Sequence, residues 1–216
     1  MIETPTLTPS LLPAAVFLLP VLAGILVLAL GRLGHRFCMG VALLAAAFLA
    51  RGGILMAGLT IQGEILVGWG NELRVDGLSA LMVLLIGGIG FLTTLYSFRY
   101  LDKGELLQRV GVVKAERRFS LFYFLLLWFL GTMAWAAVTN NIIMLYVAVE
   151  ATTLTSGLLV AFFWDRRALE AGYKYLMLLT IGITFALFGC VLVSAAGAER
   201  GGLGGREALL ISEVRG

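Results

Sequence analysis

Runs of about twenty apolar residues, separated by short polar stretches, pick out six helices, at 11–31, 37–61, 78–100, 119–138, 141–164 and 172–196. The second is interrupted at Arg51-Gly52-Gly53, where the arginine is either a buried partner for a carboxylate or a snorkelling or interfacial charge in a shifted helix. Between the second and third runs, IQGEILVGWGNELRVDG at 61–77 mixes short apolar alternation with Gly and Asn turn residues, so an extended or hairpin excursion fits better than a helix. From residue 197 the chain turns polar and Gly-rich, with REALLISEV offering a short surface helix. The pattern predicts an all-α integral membrane protein: a six-transmembrane-helix bundle over 1–196 and a polar tail over 197–216.

Composition sharpens this. Of 216 residues, 60% are hydrophobic and 13% charged, and the mean hydropathy is +0.98. A water-soluble domain exposing that much apolar surface would aggregate, so the soluble classes are excluded. The 27 glycines beside 4 prolines suit closely packed membrane helices, where small residues let backbones approach. Cys38 and Cys190 lie in separate apolar runs and are expected to be buried free thiols. His35, between Arg32 and Arg36, has no second ligand nearby for a metal site. The opening MIETPTLTPS lacks a basic n-region, and no small-residue cleavage site follows before Gly31, so the first span is expected in the mature protein.

Charge sets an expected orientation. Arg32, Arg36, Arg99, Lys103, Arg109, Lys114, Arg117, Arg118, Arg166 and Arg167 fall on one side, and Arg74 with three tail arginines on the other. The ten-residue side is expected in the cytoplasm, which puts both termini on the outer face of the inner (cytoplasmic) membrane. Basic residues split among loops and interspersed with Asp102, Glu105 and Glu116 do not make a nucleic-acid surface.

Glu150 is the chemical feature of the chain. It lies nine residues into the fifth run, roughly 13 Å deep at about 1.5 Å per residue, where an ionised acid costs about 2.5–3.5 kcal/mol on insertion scales. Tyr146, Val147, Glu150, Thr153, Leu154 and Gly157 share a helical stripe, and Thr152, Thr155 and Ser156 add hydroxyls on or beside it. Such a setting can hydrate a carboxyl group for proton transfer, or hold it neutral as a packing element. Lys174 is the candidate partner, flanked by the interfacial residues Tyr173 and Tyr175. The two groups are expected to differ in depth by on the order of 10 Å, so a direct salt bridge does not follow from the pattern. Asp165, Arg166, Arg167 and Glu170 read as solvated loop charges.

Two motifs carry a resemblance. VAVEATTLTSGLLVAFF at 147–163 and ALEAGYKYLMLLTIGITFALFG at 168–189 together resemble component F of hydrogenase-4-type membrane hydrogenases. That component is a member of the antiporter-like family, which includes large membrane subunits of respiratory complex I and of multi-subunit sodium/proton antiporters. VDGLSALMVLLIGGIGFLTTLYSFRYL at 75–101 is similar to the family's third helix. The resemblance implies that Glu150 matches the family's fifth-helix glutamate and Lys174 the Lys-Tyr opening its sixth helix, two stations of a proton path. It also implies a chain that stops short of the family's later helices, hence a shortened or split subunit or a fragment.

The function expected on these grounds is a subunit of a membrane-bound hydrogenase or NADH dehydrogenase-like complex. It would contribute to proton or cation translocation through Glu150 and Lys174, with Thr152, Thr153, Tyr173 and Tyr175 in support. Other membrane subunits and the lipid bilayer are the expected partners. No cofactor is expected, since the chain offers no Cys cluster, flavin motif or dinucleotide fingerprint; redox chemistry would sit in other subunits. The alternatives are a non-pumping fragment and a structural membrane subunit, with a small stand-alone transporter third.

Overall fold

The computed structural model describes residues 6–31, 35–100, 112–162, 166–201 and 209–214. Of the sequence expectations, those resting on Arg32, Asp102, Lys103, Glu105, Arg109, Asp165, Arg206 and Arg215 lie outside the described residues. So do those on the side chains of His35, Arg99, Lys114, Glu116, Arg117 and Arg200.

Six described helices are long and apolar enough to cross a membrane: α1 (Leu12–Ala29), α2 (His35–Ile61), α3 (Gly77–Tyr100), α4 (Val112–Val138), α5 (Ile142–Val160) and α6 (Arg166–Gly201). A seventh, α7 (Ile211–Val214), is short. Two spans outrun their apolar windows. The helix of α4 starts seven residues before 119, through VVKAERR, and that of α6 six residues before 172, through RRALEA. Arg, Ala, Glu, Lys and Leu are good helix formers whatever their polarity. An apolar window therefore reports a bilayer crossing and misses the charged turns that continue the same helix. At its other end α6 runs on past 196 through Gly197-Ala198-Glu199-Arg200 to Gly201.

One end of the bundle is not helical. Thr6–Pro9 (β1), Glu64–Gly68 (β2) and Leu73–Val75 (β3) form a small sheet in that order, β1 parallel and β3 antiparallel to β2. The excursion at 61–77 is thus a hairpin whose loop carries Trp69, Gly70 and Asn71 at positive φ. A bulky residue in the left-handed region is strained. The Trp69 ring is held edge-on to Phe17 at 5.9 Å, and Phe17 stacks on Trp135 at 5.7 Å. This cluster joins the sheet to α1 and α4.

The core is built around α4, half of whose apolar window is buried, whereas none of the α6 window is. Near the sheet, Val16, Leu49, Met56, Val75, Val83 and Val138 are enclosed; at the far end Val27, Ala42, Tyr123 and Leu127 form a second cluster. The Ser120 hydroxyl donates to the Val27 carbonyl at 2.7 Å, tying α4 to the last turns of α1. Cys38 is buried and Cys190 half-buried, and neither is in a disulfide.

The α2 and α3 backbones touch. A Cβ on Gly53 would stand 2.6 Å from the Leu84 Cα, and one on Gly87 2.6 Å from the Ala50 Cα. Close approach of this kind replaces the hydrophobic drive that lipid removes between membrane helices. Gly87→Ala forces the two helices apart and is expected to cost about 1–3 kcal/mol, read as a lower midpoint in an SDS unfolding titration. An unchanged midpoint would mean that the helices shift freely at this contact.

Candidate functional site

The turn between α4 and α5 sets the position of Glu150. Asn141 caps α5, its Oδ1 accepting the Ile143 and Met144 amides at 2.9 and 3.3 Å, as a side-chain acceptor at N-cap does for otherwise unpaired N–H groups. Its Nδ2 donates to Glu72 Oε2 of the hairpin loop at 2.8 Å. Next to it, Asn140 is 95% buried. Its amide donates to the Glu72 carbonyl, its carbonyl accepts from the Ile211 amide, and its Nδ2 donates to the Asn71 carbonyl and the Ser212 hydroxyl. The Ser212 amide donates back to Asn140 Oδ1 at 3.1 Å. Hairpin, α4–α5 turn and α7 are thereby clasped together at one end of the bundle.

From that anchor Glu150 lies eight residues into α5, roughly 12 Å from its start and 15 Å from its end. It is half-buried. The Tyr146 phenol, one turn earlier on the same face, lies within electrostatic range of the Glu150 carboxyl and of the Cys190 thiol of α6. Tyr146 belongs to the stripe evident in the sequence, and its i, i+4 spacing from Glu150 was the signal for this contact.

The hydroxyls around the acid are engaged elsewhere. Thr152 donates to the Ala148 carbonyl, Thr153 to that of Glu150, Thr155 to that of Ala151 and Ser156 to that of Thr153, at 2.7–2.9 Å. Back-bonding of this sort is the usual fate of Ser and Thr in apolar helices. Ser156 also meets the Tyr175 hydroxyl at 2.8 Å, the polar link from α5 to α6. Removing either end, by Ser156→Ala or Tyr175→Phe, is expected to cost about 1 kcal/mol, with the double variant no worse than either single one. Additive losses in the unfolding titration would show that the two hydroxyls act separately.

Lys174 and Glu150 are not brought together. The Lys174 ammonium pairs at 2.6 Å with Glu170, one turn earlier on α6, and both side chains are exposed. Helix register is the reason. A Cβ on Gly157 would meet Leu176 and one on Gly172 would meet Ala161, so antiparallel partners put Lys174 level with Leu159, nine residues or roughly 13 Å from Glu150. Tyr173 is exposed as well. Glu170, read from the sequence as a solvated loop charge, lies on a helix and holds Lys174. Among the described residues no cluster of three His, Cys, Asp or Glu side chains could hold a metal ion.

The fold defines a class, a multi-pass helical membrane protein: six membrane-length apolar helices, one of them with a carboxyl at mid-span. Residues 69–109 match the family described as NADH-Ubiquinone oxidoreductase (complex I), chain 5 N-terminus, and residues 139–200 the family described as NADH:quinone oxidoreductase/Mrp antiporter, TM. Over 132 residues the chain is 37% identical to the A1 subunit of the Na(+)/H(+) antiporter of Staphylococcus haemolyticus, covering 61% of this chain and 15% of that protein. Over 115 residues it is 41% identical to a Na(+)/H(+) antiporter subunit from Alkalihalophilus pseudofirmus, covering 53% and 13%. Its fold is similar, at a TM-score of 0.71 and 21% identity, to a chain in the membrane-bound sulfane sulfur reductase, an archaeal respiratory membrane complex, covering 87% of this chain and 38% of that one. These likenesses, each over part of the chain, are to complex I chain 5 and Mrp antiporter membrane subunits. It spans only a small part of the length of the curated relatives it matches.

Proposed function

We propose that this chain contributes to proton or cation translocation in a multi-subunit membrane complex, with Glu150 as the group that takes up and releases the proton. One observation carries the reading: a carboxyl halfway along a membrane-length helix, one turn from the Tyr146 phenol, within the segment similar to the Mrp antiporter family. Lys174 acts in it as a remote charge across roughly 13 Å of apolar helix, through water or through other subunits. The sequence motifs favour a hydrogenase-4-like or NADH dehydrogenase-like complex as the setting, and the curated relatives a sodium/proton antiporter. The basic side of the chain is cytoplasmic in this reading, with both termini on the outer face of the inner membrane. Vesicles holding the intact complex test it: an acidification dye follows proton movement as a redox substrate or a sodium gradient is applied in turn, with and without Glu150→Gln.

A second reading, a structural membrane subunit, draws on the local pairing of Lys174 with Glu170 and on threonine hydroxyls bonded to their own helix. Under it Glu150→Gln leaves translocation intact.

A further inference from the structure

Arg51 lies within a membrane-spanning helix, on the outside of the bundle. It is ten residues short of the Ile61 end of α2, roughly 15 Å, and its neighbours Ala50 and Gly53 touch Gly87 and Leu84 in the middle of α3. Those backbone contacts fix the rotation of α2, so Arg51 cannot turn inward. The side chain is exposed and has no hydrogen bond or ion pair among the described residues. The helices packed against α2 offer no mid-span acid: α1 and α3 contain none, and the acid of α4, Glu116, lies near its start.

A lone arginine at mid-bilayer costs about 2.5–3.5 kcal/mol even on insertion scales, and intramembrane charges pair in compensation. Snorkelling offers poor relief here. Helical side chains lean toward the N-terminus of their helix, so Arg51 starts out pointing away from the nearer, Ile61 end. Around it runs an exposed apolar stripe of Leu44, Ile54 and Leu55, continued by Gly58, whose Cβ position is open space. A glycine on an outer helix face lets a further backbone approach.

We infer that this face of α2 docks a transmembrane helix of another subunit carrying an Asp or Glu at the depth of Arg51. A planar guanidinium forks two hydrogen bonds onto a carboxylate, and the pair, desolvated together, gives register and partner choice. The surface is separate from Glu150, because α2 packs on α1, α3 and α4 while α5 and α6 pack on each other and α4. The inference rests on the chain working within a multi-subunit membrane assembly.

The test uses the intact assembly, purified from native membranes through a tag on this chain. Arg51→Leu and Gly58→Leu are expected to lower by at least tenfold the co-purification of one membrane subunit while the chain still inserts, and Arg51→Lys, which keeps the charge but not the fork, to lower it less than Arg51→Leu does. Leu55→Cys is expected to cross-link to a segment of that subunit bearing an acid, and exchanging the two charges, with Arg51→Asp, to restore assembly. Normal co-purification of Arg51→Leu and Gly58→Leu, with a spin label at Leu55→Cys relaxed by oxygen dissolved in lipid, would overturn the inference in favour of a snorkelling arginine. A cross-linked segment without an acid would overturn it too. Glu150→Gln leaves this assembly whole, so failure of the translocation reading and failure of the docking face are read separately.

Discussion

Glu150→Gln is expected to reduce proton movement in vesicles at least tenfold, while the chain inserts and assembles as before. Glutamine matches the shape of glutamate and keeps its polarity beside Tyr146 on the same face of α5, so the packing there survives. What it lacks is a titratable proton. In the middle of a 19-residue apolar helix water is scarce, and another carrier at that depth is not easily recruited. Glu150→Ala removes the side chain's packing as well and is expected to add a loss of stability, so comparing the two separates chemistry from packing. Wild-type proton movement in Glu150→Gln would sink the translocation reading and leave the structural one.

Asn140→Ala is expected to be the most destabilising polar substitution in the chain, by about 3 kcal/mol. Three side-chain hydrogen bonds disappear, to the Asn71 carbonyl and to the hydroxyl and amide of Ser212. At about 1 kcal/mol each for a net intramolecular bond, their sum is a sizeable part of a folding free energy of about 5–15 kcal/mol. The cost has a spatial signature, because the backbone bonds of Asn140 to Glu72 and Ile211 remain. Local release of α7 should precede loss of the bundle. A cysteine at Ile211, labelled with a water-soluble maleimide, should react several-fold faster in the Asn140→Ala background while the unfolding midpoint falls. An equal labelling rate together with a shift under about 1 kcal/mol would show that the clasp holds nothing the bundle does not already hold.

The membrane-spanning character and the hairpin were legible because each has a local signature: long apolar runs for the helices, and short alternation with turn residues for 61–77. Helix ends were less so. Charged helix formers such as those at 112–118 and 166–171 carry no apolar signal, yet they extend α4 and α6. The strand β1 left no usable trace, since Thr6–Pro9 becomes a strand only by pairing in register with Glu64–Val67. At the candidate site the acid stood out as a charge in apolar surroundings, and Tyr146 was on its stripe. The link between Lys174 and Glu170 was also local, an i, i+4 pair, but it shows only when 166–171 is seen to be helical.

By itself the sequence determined which segments are long and apolar enough to cross a membrane and that one of them carries a carboxyl midway, because apolar length and the exclusion of charge are properties of each helix alone. The tertiary structure decided which groups meet. Antiparallel register between α5 and α6 puts Lys174 roughly 13 Å from Glu150, and backbone contact of α2 with α3 turns Arg51 outward. Asn140, unremarkable between two apolar runs, becomes the clasp of three distant segments. Distances across helices follow from packing and rotation, which depend on glycines and caps spread over the chain, and no single segment contains them.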